Sequence, residues 1–245
     1  MQVDALAFGP HPDDVELTCA GTLIRLKESG YSTAVVAVTA GELGTRGSAE
    51  TRAAEFQKAA QAMQLDYSRI LGIPDGAITD SFEHKLEVIR EIRKCCPRIV
   101  FAPYWIDRHP DHVNASKLVS EAAFLSGLRK IDTGQPAFRP HRVLFYPCRD
   151  EFKPSFVVDI SAQHKRKLEA IRCYATQFHN PQESFSGEPQ TNISRPHFLE
   201  AVITRARQYG SYVGCEYGEP FLVREPMRLD DPVAFFGPEY LNSYL

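Results

Sequence analysis

The chain has 245 residues and carries 28 Lys and Arg against 31 Asp and Glu, a formal net charge of −3. With 43% hydrophobic and 24% charged residues it has the composition of an ordinary globular protein, and its length suits one large α/β domain over residues 1–245. No basic excess offers a surface to nucleic acid or to an anionic membrane, and the longest apolar stretches, such as residues 34–40, are too short to span a bilayer. The first residues, Met-Gln-Val-Asp, show neither a basic n-region nor an apolar h-region, so a cytoplasmic protein is expected. The six cysteines, at 19, 95, 96, 148, 173 and 215, form no C-x-x-C pair and are expected to be reduced and mostly buried.

Strand and helix signals alternate from the N-terminus. Residues 3–8 form a short apolar run ended by Gly9-Pro10. Residues 17–27 carry helical spacing through Leu17, Ala20, Leu23, Ile24 and Lys27, with Gly30 placed to end the helix. Residues 33–39 are β-branched and apolar and run into the glycine-rich stretch 41–47. Residues 50–63 put Ala53, Phe56, Ala60 and Met63 on one helical stripe. A strand at 69–73 closes on Pro74-Asp75-Gly76, followed by a helix at 82–94, a strand at 99–103 and a helix at 114–125. Strands separated by amphipathic helices predict βαβ units, hence a Rossmann-like, mostly parallel sheet flanked by helices, with residues 1–130 as its core half. Ligands collect at the carboxyl ends of such strands, which singles out residues 10–16, 40–48, 74–76 and 103–112.

Residues 131–245 are less regular and are expected to complete the domain, with strands at 142–146 and 156–160 and helices at 162–178 and 196–213. Between those helices, residues 180–195 are rich in Pro, Ser, Gln and Gly without apolar period; their length suits a lid or a contact loop.

One tripeptide occurs twice, as His11-Pro12-Asp13-Asp14 and as His109-Pro110-Asp111-His112, each placed in a loop between a predicted strand and a predicted helix. A catalytic zinc takes three protein N/O ligands and keeps an open position for water. His11 and Asp14 can supply two ligands from one turn and a histidine of the second loop the third, while a spare carboxylate serves as general base. Other divalent ions can occupy such a site. The run Gly41-Glu42-Leu43-Gly44-Thr45-Arg46-Gly47 lacks the dinucleotide and P-loop fingerprints. Glu42, Arg46 and Arg52 near it, and Arg108 beside the second loop, are the substrate-binding candidates. His84 and His164 fall on helix starts or faces expected to be exposed, and Tyr146 and Tyr174 are read as packing residues. Of the other histidines, at 141, 179 and 197, His141, after Pro140, is the one that could approach the site.

These residues resemble the LmbE/PIG-L-like family of zinc-dependent N-acetylglucosaminide deacetylases over essentially the whole chain. The likeness rests on Ala7-Phe8-Gly9-Pro10-His11-Pro12-Asp13-Asp14, on 41–47 running into Glu50-Thr51-Arg52, and on 107–112. Pro10 is a departure, since relatives often carry a small Ala or Gly there. Within the family the chain is most similar to deacetylases of bacillithiol biosynthesis, through 41–47, Ile73-Pro74-Asp75-Gly76, 123–129 and Arg205-Ala206-Arg207-Gln208-Tyr209-Gly210. The resemblance implies His11, Asp14 and His112 as zinc ligands and Asp13 as general base. It further implies that His109, held by Asp111, stabilises or protonates the developing charge. The implied substrate is N-acetylglucosaminyl-malate, its carboxylates met by Arg52 and Arg108, and the implied assembly is a homo-oligomer, commonly a hexamer. The rival readings are a deacetylase of another N-acetylated sugar or thiol conjugate and a non-catalytic metal-binding protein.

Overall fold

A computed structural model of the chain describes residues 1–179 and 189–237. The first half runs β1 (Ala5–Gly9), α1 (Asp14–Thr18), α2 (Ala20–Glu28), β2 (Thr33–Ala37), α3 (Ala49–Met63), β3 (Tyr67–Ile70), α4 (Phe82–Cys95), β4 (Ile99–Pro103) and α5 (Pro110–Leu125). The second half adds β5 (Arg142–Tyr146), β6 (Phe156–Asp159), α6 (His164–Arg172), α7 (His197–Ser211), β7 (Gly218–Phe221) and α8 (Pro232–Phe236). Five strands form a parallel sheet in the order β3-β2-β1-β4-β5, while β6 and β7 pair antiparallel in a separate ribbon. The main sheet is the parallel α/β arrangement that the alternation predicts.

Every residue of β1 and β2 is buried, because helices cover both faces of the sheet. The two-residue period sends Leu6, Phe8, Ala34 and Val36 into one core with Val88, Ile89 and Ile92 of α4 and Leu118 and Val119 of α5. Ala5, Ala7, Val35 and Ala37 face the other core, shared with Leu23 and Ile24 of α2, Phe56 and Met63 of α3 and Ile171 of α6. Chain order reverses between β1 and β4, and both His-Pro-Asp segments follow the carboxyl ends of these two strands. Such a switch point is where open α/β sheets bind ligands.

Several elements differ from the sequence pattern, each for a tertiary reason. The helix expected over 17–27 starts at Asp14 and breaks at Cys19. The amides of Gly21 and Thr22 donate to the Glu219 carboxylate of β7 at 2.9 and 2.7 Å, so α2 begins on a buried acid from the far end of the chain. Lys167 of α6 lies 2.6 Å from that carboxylate and offsets its charge. The strand expected at 69–73 is β3, at the edge of the sheet and shifted back to pair with residues 34–37 of β2. Helix α5 begins four residues earlier than expected, with His109 as N-cap and Pro110 at the first helical position, where a missing N–H loses no bond. The second His-Pro-Asp segment is thus a helix start rather than a loop.

Helix α6 stops at Arg172 instead of reaching 178, and the chain turns to bury Tyr174, whose hydroxyl donates to Glu16 at 2.9 Å. Strand β7, Gly-Glu-Pro-Phe, has no alternation to reveal it and is set by pairing with β6. His164 is buried rather than exposed, its ring stacked on Tyr217 with centroids 3.7 Å apart. All six cysteines are free; Cys19 and Cys95 are buried and the other four half-buried, fewer than expected. Of the expected lid or contact loop 180–195, residues 180–188 lie outside the described residues. Among the described residues no helix is long and apolar enough to cross a membrane.

Candidate active site

The site is built where β1 and β4 hand the chain to helices. Asp13, the N-cap of α1, has φ 103°, a left-handed conformation costly for a residue with a Cβ. Its neighbourhood enforces it. Arg52 of α3 reaches across the glycine-rich loop, its Nη2 donating to the Pro12 carbonyl at 2.7 Å and to Asp13 Oδ2 at 3.3 Å, its Nη1 to the Gly41 carbonyl at 2.9 Å. Gly41 is required here, because a Cβ would stand 2.0 Å from Arg52 Nη1. Burial pushes the Asp13 carboxyl up to about 7, against the opposing pull of Arg52 and with a further push from Asp14.

Asp14 sits between two imidazoles. Its Oδ2 is 3.2 Å from His11 Nδ1 and its Oδ1 is 3.4 Å from His112 Nε2. One donor atom from each of the three residues lies within 4.8 Å of the others, close enough for a single ion to be held among them. The two-nitrogen, one-carboxylate set also suits zinc chemically, and the His11 and His112 side chains are only 10% and 12% exposed. The residues fit the metal.

The far nitrogens of both histidines are held by carboxylates. His11 Nε2 lies 3.0 Å from Asp75 Oδ1 and 3.2 Å from Asp111 Oδ2, and His112 Nδ1 lies 3.1 Å from Asp107 Oδ1. Burial would favour a neutral His11, but Asp111, Asp14 and Asp75 outweigh it and hold the imidazole well above its usual range. Asp75 also accepts the Leu43 amide at 3.0 Å, which ties the glycine-rich loop to His11.

His109 is exposed and stacks on His112, ring centroids 4.7 Å apart. The resemblance has Asp111 holding His109. Here that contact comes from the Asp111 amide, which donates to His109 Nδ1 at 3.2 Å and leaves Nε2 to carry the ring proton. The Asp111 carboxylate instead serves His11 and accepts the Gly76 amide at 2.8 Å. Burial, with His112 and His11 as cationic neighbours, holds His109 below the ordinary imidazole value.

These groups line a cavity of about 1080 Å³ together with Arg108, Arg149, Arg195 and Arg205. Of the substrate-binding candidates, Arg108 lies on the wall. Arg52 lines the cavity too, but its guanidinium is committed to Pro12, Gly41 and Asp13. Arg46 is buried outside the lining, its carbonyl accepting from Gln177 at 2.7 Å, and Glu42 turns to the Asp75 amide at 2.7 Å. His141 is far from the site, its amide bonded to Arg98 at the start of β5. Tyr146 and Tyr174 are fully buried packing residues.

Sequence reasoning missed Asp75, Asp107, Cys148, Arg149 and Arg205. The signal for Asp75 and Asp107 was present, since both follow strand ends, but a Pro-Asp-Gly triplet reads first as a turn. Cys148 and Arg149 follow a strand of the irregular half with no motif to mark them, and Arg205, inside an expected helix, carries no signal that turns it to the site.

Residues 6–123 match the family model described as GlcNAc-PI de-N-acetylase. The chain is 30% identical over 185 residues to a diacetylchitobiose deacetylase of Thermococcus kodakarensis, covering 71% of this chain and 69% of that one. It is 29% identical over 186 residues to a probable N-acetyl-α-D-glucosaminyl L-malate deacetylase 2 of Bacillus anthracis, covering 69% and 79%. Among solved structures it superimposes on the conserved protein TT1542 of Thermus thermophilus with a TM-score of 0.84 at 39% identity, covering 94% of this chain and 98% of that one.

Proposed function

The chain belongs to the GlcNAc-PI de-N-acetylase (PIG-L) family of amide hydrolases, and from that membership we propose that it removes the acetyl group of an N-acetylglucosaminyl conjugate by zinc-dependent hydrolysis. The observation that carries the reading is the seating of Asp13 beside a His11–Asp14–His112 donor set at the floor of one cavity. The most specific substrate is N-acetylglucosaminyl-malate. Its support is the Bacillus anthracis relative and the position of Arg108 on the cavity wall. Free thiols and a small-molecule substrate suit the cytoplasm, and self-association into a homo-oligomer belongs to the same reading.

An amide is a poor electrophile and neutral water a poor nucleophile. His11, Asp14 and His112 would hold the metal, and a bound zinc would supply acidification of a water and polarisation of the acetyl carbonyl. Asp13 takes the proton of the attacking water; its backbone conformation and Arg52 keep its carboxylate turned from the ligand role of its neighbour Asp14. His109 donates from Nε2 to the oxygen on which charge develops, a type of contact that contributes roughly 3 kcal/mol. Asp13 then carries the proton back to the departing amine, which leaves as the free glucosaminyl product with acetate.

The test is release of free amine from N-acetylglucosaminyl-malate, N-acetylglucosamine and diacetylchitobiose by chelated and by zinc-restored protein. Zinc-dependent turnover that favours the malate glycoside is the expected outcome. Zinc-dependent turnover favouring another substrate keeps the chemistry and removes the malate assignment, and zinc binding without any turnover removes both.

A further inference from the structure

His112 presents its two ring nitrogens to different surroundings. Nε2 faces Asp14 Oδ1 at 3.4 Å, while Nδ1 lies 3.1 Å from Asp107 Oδ1. That Nδ1 is buried and, among the described residues, makes no aligned hydrogen bond. Cys148, a free thiol on the segment after β5, stands beside this pair. Donor atoms of Asp107, His112 and Cys148 all lie within 4.8 Å of one another, and all three residues line the cavity.

The backbone holds the three in place. Asp107 Oδ1 accepts the His109 amide at 2.8 Å and Oδ2 accepts the Arg149 amide at 3.0 Å, which ties the segment after β4 to the segment after β5. Arg205 of α7 donates from Nη1 to the Cys148 carbonyl at 2.8 Å and fixes the same segment from the other side. A carboxylate has about four acceptor positions, so two amides leave Asp107 room for an ion. Cys148 has no part in the deacetylation chemistry. Its sulfur is what separates this set from His11, Asp14 and His112, because thiolate with imidazole selects soft ions over magnesium or calcium.

We infer that Asp107, His112 Nδ1 and Cys148 form a second metal site, for a thiophilic divalent ion such as cadmium or surplus zinc, and that its occupancy stops turnover. Binding makes three bonds, from the ion to the thiolate sulfur, to Nδ1 and to an Asp107 oxygen. It releases the thiol proton and the Nδ1 proton to solvent, and no electrons change hands. The imidazole is then shared. An ion on Nδ1 draws electron density from Nε2, the nitrogen that faces Asp14, and sets a second double charge beside the first ion. Binding stands on the geometry alone, and only the inhibition rests on the deacetylase reading.

The experiment adds cadmium to full-length protein already loaded with stoichiometric zinc. It follows bound metal, the ultraviolet thiolate-to-cadmium charge-transfer band and the rate of deacetylation. Retained zinc, a further equivalent of cadmium, a band that saturates with it and a parallel loss of activity are expected. Cys148→Ala and Cys148→Ser should turn over like wild type without cadmium, lack the band and need at least about tenfold more cadmium for the same inhibition. Magnesium at the same concentrations should change nothing. A band that survives in Cys148→Ala puts the ion on another thiol, and cadmium that expels zinc without a band has only replaced the first ion; either result overturns the site. Equal inhibition of wild type and Cys148→Ala overturns the link to turnover. If no substrate is deacetylated, the activity reading has failed by itself, and the stoichiometry and the band still decide the site.

Discussion

Asp13 and Asp14 are chemically identical neighbours that the backbone turns to different partners. The left-handed turn at Asp13 sends the two side chains to different partners, Asp14 to both histidines and Asp13 to Arg52. Asp13→Asn should therefore retain bound zinc at the wild-type stoichiometry while kcat falls by roughly 10²–10⁴, the range of a lost general base. Metal content measured beside turnover checks this; a variant that stays active removes Asp13 from the mechanism. Asp75 has the complementary role, since it touches His11 on the side away from Asp14. Asp75→Asn should weaken zinc retention by about 10–100-fold in competition with a chelator, and excess zinc should restore most of the activity. Unchanged zinc affinity would leave Asp75 as a loop anchor only. The donor residues were legible from a tripeptide used twice. The supporting carboxylates outside it, Asp75 and Asp107, were not, because a hydrogen bond between residues 11 and 75 leaves no periodic trace in the chain.

Strands were readable where an apolar run marks them. The strand at Ile99–Pro103, between two helices, and the one at Arg142–Tyr146, which a further strand follows, both fall where the apolar runs predict. Boundaries moved wherever a partner from elsewhere supplied a cap, as Glu219 does for α2. Helix α6 shows how packing overrides an amphipathic reading. His164 at its start is buried against Tyr217, with Lys167 on its own helix, Arg207 of α7, Glu219 of β7 and Glu216 as its charged neighbours. Burial first, then Lys167, lowers its imidazole to about 4, with Glu219 and Glu216 opposing. The sign follows from linkage: between that value and the ordinary value of about 6.5, the unfolded chain binds a proton that the folded chain refuses. This contribution is complete above about pH 6.5 and is lost as the pH falls towards 4. Thermal melting from pH 7.5 to 4.5 should accordingly show a shallower acid decline in His164→Phe than in wild type. Parallel declines would mean that His164 is not what titrates.

At the scale of the molecule, zinc would join the segments that leave β1 and β4 across the point where strand order reverses. His11 and Asp14 come from the first and His112 from the second, so the folded chain alone presents all three donors together. A ligand that binds only the folded state stabilises it by about 2.7 kcal/mol at one hundred times its Kd, and removing it takes that contribution away. Chelation should lower the melting temperature by several degrees and zinc should restore it, with His112→Ala insensitive to both. A melting temperature indifferent to chelation would place the metal outside this site.

Residue order alone settled the parallel α/β class, because it is written in local signals; the deacetylase reading came from the resemblance to a family. Alternating periodicity defines strands and helices, and two His-Pro-Asp copies after strand ends bring donors to one rim. Tertiary structure alone decided which carboxylates brace the histidines, where α2 begins, and which arginines share the cavity with the donors. Those outcomes depend on pairs such as Asp107 with Arg149 or Gly21 with Glu219, residues far apart in the chain that meet only after the sheet has formed. The energy that selects them is the cost of leaving a buried charge or amide unpartnered, and that cost exists only once water has been excluded.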